Sequence, residues 1–315
     1  MFCLCCPPGL TRRRLLASAA ALAAAGAAPG PESGFTMTEV ARGVFVRRGE
    51  DADATAENQD AIANIGFVIG DDAVAVIDPG GSGADGARLR LAIRARTDRP
   101  IRYVIETHIH LDHCFGASAF ADDHPDIIGH ARLPAALAAR RDFYRRHLIE
   151  LLGPDAAGDA LPPTRLVTAQ ETIDLGGRRL DITAHAPAHT DTDLTLFDSA
   201  TETLWASDLL FVGRIPVLDG SLAGWQKALS ALKRQKAARA VPGHGPVSVS
   251  WPAAAADEER YLATLAHDVR ALILKGADID TASHAAAESE REHWRLFDDY
   301  NGRNAIEAYK ELEWE

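Results

Sequence analysis

Seven consecutive residues, Thr107-His108-Ile109-His110-Leu111-Asp112-His113, constrain this chain more than any other feature. They place three imidazoles and a carboxylate directly behind an apolar segment, Tyr103-Val104-Ile105. Imidazole nitrogen and carboxylate oxygen are donors that zinc prefers. His108 and His110 supply two donors on alternating positions, and Asp112 and His113 are expected to face the same pocket from the next turn. His189, Asp208 and His244 stand further along as companions. A metal site at the end of a strand is therefore the leading expectation.

The first part of the 315-residue chain reads as a targeting segment. Thr11-Arg12-Arg13-Arg14-Leu15-Leu16 is of twin-arginine type, an Ala-rich apolar stretch runs from Ala17 to Ala25, and small residues follow. Residues 1–28 are thus expected to be a signal peptide cleaved near Ala27 or Ala28. The apolar stretch is short for a span, which needs about 20 apolar residues. The expectation is a periplasmic protein exported folded, with no membrane association after cleavage. Cys3, Cys5 and Cys6 would leave with the signal. Cys114 alone remains, which excludes an internal disulfide and reads as a small buried thiol at the start of a helix. Losing the three arginines from 33 basic residues leaves 30 against 45 acidic ones. Such an acidic surface repels nucleic acid backbones, so no nucleic-acid partner is expected.

Strand and helix signals alternate in two halves. Val44 to Arg48, then Gly66 to Gly70 and Ala73 to Ile77, read as strands broken by Asp78-Pro79-Gly80-Gly81. Ala84 to Thr97 reads as a helix with Leu89, Leu91 and Ile93 as apolar candidates, and Ile101 to Glu106 as the strand feeding the histidine run. Ile127-Ile128 is a short buried strand, Leu133 to Leu152 a long helix, and Gly153 to Thr164 a loop. The second half predicts a hairpin turned at Gly176-Gly177, a second hairpin of Leu194 to Phe197 with Thr203 to Ala206, a helix from Leu222 to Ala238, and a short strand at Ala240-Val241-Pro242. Two strand-then-helix halves predict two sheets packed face to face with helices outside. After about Trp251 the strand signals stop, and Asp257 to Gly276 and Ala285 to Glu313 read as charged helices. The expected domains are 36–252 and a helical extension, 253–315.

The motifs resemble the metallo-β-lactamase superfamily of metal-dependent hydrolases. They occur in order: Ile77-Asp78-Pro79-Gly80, the His108 to His113 run, Ala188-His189-Thr190, Ser207-Asp208, and Pro242-Gly243-His244-Gly245. The resemblance covers about residues 36 to 250 and implies an α/β (α+β) fold, a four-layer αββα sandwich with the site at one edge of the sheets. A narrower resemblance rests on Gly129 to Pro134, Ile215 to Ser221 and the Tyr309 to Glu315 tail. These segments look like exported quinoprotein relay system zinc metallohydrolases, which implies a quinoprotein dehydrogenase as a partner.

The superfamily resemblance implies two Zn2+ per chain. His108, His110 and His189 would hold one, and Asp112, His113 and His244 the other, with Asp208 bridging. A bridging water would become the nucleophile for an ester, thioester, lactone or amide carbonyl of a small-molecule substrate, and Asp112 and Asp208 would be the catalytic carboxylates. Asp208 also makes the set look more like the glyoxalase II and lactonase arrangement than that of penicillin-hydrolysing members. Asp78 reads as a support for a ligand imidazole rather than a ligand. Thr107 and Thr190 are open between loop and supporting roles. His130 reads as a core histidine, and His124, His147, His185, His267, His284 and His293 as structural or solvated. Arg214 is a candidate contact for an anionic substrate group. Tyr144, Arg145 and Arg146 read as a solvated helix face, and Trp225 as helix packing. Two other readings stand beside the hydrolase: a sulfur (persulfide) dioxygenase with one Fe2+, and a non-catalytic accessory factor for a quinoprotein.

Overall fold

Apolar β-branched runs and glycine turns build the first sheet of the computed structural model, which describes residues 35–315. Its seven strands are β1 (Met37–Ala41), β2 (Val44–Arg47), β3 (Ile65–Ile69), β4 (Val74–Ile77), β5 (Ile101–Glu106), β6 (Asp126–His130) and β7 (Arg165–Val167), in that spatial order. Pairing is antiparallel up to β4 and parallel from β4 to β7. The second sheet runs β13-β12-β11-β10-β9-β8, from β8 (Gln170–Asp174), β9 (Arg179–Ala184), β10 (Leu194–Asp198), β11 (Thr203–Phe211), β12 (Arg239–His244) and β13 (Val249–Ser250). Gly176 and Gly177, at φ 86° and 66°, take the two left-handed positions that the tight β8–β9 turn requires.

The sheets pack face to face over Val46, Val68, Ile77 and Ile105 on one side and Ile182, Leu196, Trp205 and Val241 on the other. Helix α1 (Gly83–Arg94) follows β4, with Ser82 capping it by accepting from Asp85 N–H. Helices α5 (Leu222–Leu232), α6 (Ala256–Leu274) and α8 (Phe297–Leu312) share a second core with Leu204, Ala206 and Leu210 of β11. The result is the expected four-layer αββα sandwich with C-terminal helices. Residues 36–315 form one compact unit. The expected signal peptide lies outside the described residues, and no helix among them is long and apolar enough to cross a membrane.

Several expectations change. Leu91 is 66% exposed, because α1 turns its Leu89/Ile93 stripe inward and Leu91 lies about 200° round from Leu89. Strand β11 is nine residues rather than four, buried throughout because both its faces are covered. Strands β1 and β7 are edge strands whose mixed residues carry no clean alternation. Helix α2 (Leu111–Cys114) ends at Cys114, which is also the N-cap position of the 3-10 helix that follows (Phe115–Asp123), so the buried thiol closes one helix as well as opening another. The loop after α3 (Leu133–Leu152) contains a short helix, α4 (Pro154–Ala157). Helix α5 stops at Leu232, and the region from 285 to 313 divides into the end of α7 (Ile279–Ala285), a 3-10 turn (Glu288–His293) and α8. Leu296, at φ 59°, breaks the path between the last two.

Candidate metal centre

Strand β5 delivers Thr107 to the open edge of the two sheets, where the chain leaves the ladder. His110 caps α2 from an extended backbone, and Asp112 and His113 follow within the first turn of α2. His189 lies on the β9–β10 loop, which Asp193 organises by accepting from Thr190 N–H and Oγ1. Asp208 projects from β11 where the pairing with β12 is irregular, next to Ser207 at φ 47°. His244 ends β12. Gly243 beside it has no room for a side chain, since a Cβ would sit 1.7 Å from Asp208 Oδ1. The fold thus brings together all seven residues, from four separate stretches of chain.

They form two groups, His108, His110, His189 and Asp208, and Asp112, His113 and His244, each able to hold a metal with donor atoms within 4.8 Å of one another. His110 Nδ1 and His189 Nε2 are 2.9 Å apart. Asp208 Oδ2 lies 3.7 Å from His108 Nε2 and 3.3 Å from His189 Nε2, while Oδ1 lies 3.0 Å from His113 Nε2. Asp112 Oδ2 is 3.3 Å from His244 Nε2. Donors around a tetrahedral ion at 2.0–2.1 Å are about 3.3 Å apart, so these separations suit zinc.

The outer nitrogens show the same design. His113 Nδ1 meets Asp78 at 2.9 Å, His110 Nε2 meets Asp219 at 3.0 Å, His189 Nδ1 meets the Val217 carbonyl at 2.6 Å, and His244 Nδ1 meets the Ile62 carbonyl at 3.0 Å. His108 Nδ1 is 3.0 Å from Thr107 Oγ1. Each ring is therefore held by one nitrogen and points the other inward, which sets the tautomer a metal needs. Inward atoms His108 Nε2, His113 Nε2 and Asp208 Oδ1 are buried without a hydrogen-bond partner. Polar atoms buried so are rare unless something else satisfies them, and a cation does. Burial would raise the Asp208 carboxyl, but the imidazoles of His113 and His244 outweigh it and hold the group ionised. Burial, with His113 close by, keeps the His108 imidazole well below its usual range and hence neutral.

Asp78, at φ 54°, supports the site from below. It also accepts from Thr107 N–H (2.9 Å), Thr107 Oγ1 (3.0 Å) and Ser207 Oγ (3.1 Å). Thr107 and Thr190 therefore brace the ligand loops. Trp225 is fully buried beneath His189, with ring centroids 5.2 Å apart. His130 is not brought to the centre: its Nδ1 accepts from Arg132 N–H at 3.0 Å and its Nε2 meets the His185 carbonyl at 3.2 Å.

His130 thus lies outside the ligand set, as a satisfied core histidine. Arg145 pairs with Asp159 at 3.5 Å, away from the centre, and Arg146 is exposed.

The centre floors a cavity of about 680 Å³, with His110, Asp112, Asp208 and His244 at its base. Helix α3 walls one side with Arg140, Phe143 and Tyr144, and helix α8 the other with Tyr300 and Arg303. Arg214 stands beside His244, with Nη1 3.3 Å from its Nδ1. Asp219 and Arg140 are functional candidates that sequence reasoning missed. Asp219 accepts from Arg140 while holding His110, and these two partners outweigh burial to keep its carboxyl low. Asp219 is 109 residues from His110, and no spacing rule links them.

Comparison with known proteins agrees with the geometry. The family model described as "Metallo-beta-lactamase superfamily" matches residues 59–244. No curated protein matches the sequence. Among solved structures, a metallo-beta-lactamase from Pontibacter korlensis is 17% identical with a TM-score of 0.60, over 73% of this chain and 99% of that one. The inverting sec-alkylsulfatase Pisa1 from Pseudomonas sp. is 16% identical with a TM-score of 0.66, over 88% of this chain and 50% of that one. TMB-1 is 17% identical with a TM-score of 0.56, over 73% and 97%. Likeness at these identities concerns the fold, and the Pisa1 match extends past residue 252 into the C-terminal helices. With the family model spanning more than half of its length, the chain belongs to the metallo-beta-lactamase superfamily.

Proposed function

We propose that this chain is a dinuclear zinc hydrolase acting on a small molecule with an ester, thioester, lactone or amide carbonyl. The observation that carries the reading is the pair of donor groups whose inner atoms converge while every histidine is held by its outer nitrogen. Two divalent cations, when bound, acidify water and polarise a carbonyl. His108, His110 and His189 would hold one, Asp112, His113 and His244 the other, and Asp208 offers one oxygen to each group. Asp112, at 8% exposed against 3% for Asp208, is the more open of the two carboxylates in the donor set and is placed to orient water and take its proton. Phe211 and Trp225 back the histidines and keep bulk water out.

The twin-arginine segment supports export to the periplasm, and the resembling segments support association with a quinoprotein dehydrogenase; both belong to the same proposal. The test is metal analysis of the exported protein, followed by hydrolysis of an ester, thioester, lactone and lactam panel. Secondary alkyl sulfates join the panel because Pisa1 is a sec-alkylsulfatase. Two zinc ions per chain are expected, with Asp208→Ala losing at least about a thousandfold in kcat while keeping its fold. One iron per chain with oxygen uptake on a persulfide, or unchanged turnover in the variant, would overturn it.

A further inference from the structure

Arg214 is a buried cation short of partners. Its side chain is 4% exposed, and Nε has no hydrogen-bond partner. The other nitrogens reach the Ala52 carbonyl at 3.2 Å and Tyr300 Oη at 3.4 Å, and its nearest carboxylate is Asp53 at 3.8 Å. Asp53 is itself half exposed and already accepts from Tyr300 Oη at 2.5 Å. A buried guanidinium whose one ion pair is long and made to a half-exposed carboxylate is incompletely satisfied, and an anion would complete it. Tyr300 lies beneath it, with the guanidinium carbon 5.5 Å from the ring centroid.

Arg303 is one helical turn on from Tyr300 along α8 and lines the same cavity. It is exposed and makes no hydrogen bond or ion pair with any described residue. The cavity's other arginine, Arg140, is committed to Asp219. Glu307, the acid on the same wall, is engaged by Lys310 at 2.7 Å. Opposite, Phe143 is 63% exposed at the lip of the cavity.

Resting on the hydrolase reading, we propose that Arg214 and Arg303 form an oxyanion subsite on the α8 wall. The substrate would carry a carboxylate-like group separate from its scissile carbonyl, with an apolar portion against Phe143. The C-terminal helices then complete the active site rather than merely cover the sheet. Bidentate guanidinium geometry suits such an anion.

The binding arm titrates glutarate into the metal-free and zinc-loaded protein by calorimetry. Arg303→Gln should weaken binding to both forms at least about tenfold, and Arg214→Lys should do so too. Arg303 is exposed, so its variant keeps the fold even if the buried Arg214 site does not tolerate change. No binding, or equal binding by wild type and Arg303→Gln, overturns the subsite. The kinetic arm compares a neutral p-nitrophenyl acyl ester with its ω-carboxylated counterpart. The ratio of their kcat/KM values should favour the carboxylated ester and fall about tenfold in Arg303→Gln, through KM. Equal ratios overturn the subsite alone. Glutarate binding that depends on Arg303, without turnover of any ester, overturns the hydrolase reading instead.

Discussion

At the scale of single residues, the centre depends on groups that never touch a metal. Asp219 sets the tautomer and angle of His110, and Arg140 steadies Asp219 from α3. Supporting partners of this kind are worth about 10–100-fold in metal affinity. Asp219→Ala should therefore weaken zinc binding by about that factor in chelator competition, and unchanged affinity would assign the pair to surface packing. A second residue-scale effect concerns pH. His185 is largely buried, meets Thr195 Oγ1 at 2.8 Å, and burial lowers its imidazole to about 4, with His130 adding to the effect. Its folded value lies below the unfolded one of about 6.5, so the unfolded chain binds more protons between them. Stability should be full above about pH 6.5 and fall as pH drops toward 4, by up to about 3 kcal/mol from this group. Denaturant melts of wild type and His185→Gln should converge in that window as pH falls; parallel curves would refute the assignment.

At the scale of elements, α8 and α5 are joined through one carboxylate. Glu311 accepts from Ser221 Oγ (2.9 Å), Leu222 N–H (2.6 Å) and Ala223 N–H (3.2 Å), at the end of α5 where peptide N–H groups lack helical partners. A negative charge there also suits the helix dipole. Glu311→Ala should cost about 1–2 kcal/mol in denaturant unfolding, with Glu311→Gln intermediate. Asn304 makes a parallel link, donating to the Pro216 carbonyl at 2.6 Å while its Oδ1 accepts from Leu218 N–H at 2.9 Å. The stretch carrying Arg214 and Asp219 is thus held against the C-terminal helices.

At the scale of the whole molecule, the site draws on both sheets, and the donor atoms within each group are crowded to within 4.8 Å of one another. A ligand that binds only the folded chain stabilises it by mass action, about 2.7 kcal/mol at a hundred times its Kd. Adding zinc to metal-free protein should accordingly raise Tm by about 5–10 °C, and Asp208→Ala should lose most of that shift. A melting curve indifferent to zinc would mean that the centre does not hold the ion tightly.

The ligand types, their order and the two-sheet plan were legible in the chain because they rest on local physics. Donor residues follow strand ends, glycines mark tight turns, and apolar runs mark buried strands, as at Ile77-Asp78-Pro79-Gly80 and Gly176-Gly177. Helix ends beyond Leu232, the extra edge strands and the exposure of Leu91 were not legible, since packing against distant elements decides them. The same holds for Asp219 beneath His110, Gly243 against Asp208, and Arg303 across the cavity from Phe143. Those pairings join positions far apart in sequence, and only the closing of one sheet and its helices upon the other sets their distances. The sequence by itself determined which donors the chain owns; the tertiary structure decided which nitrogen each histidine points inward and which cations remain free to meet a substrate.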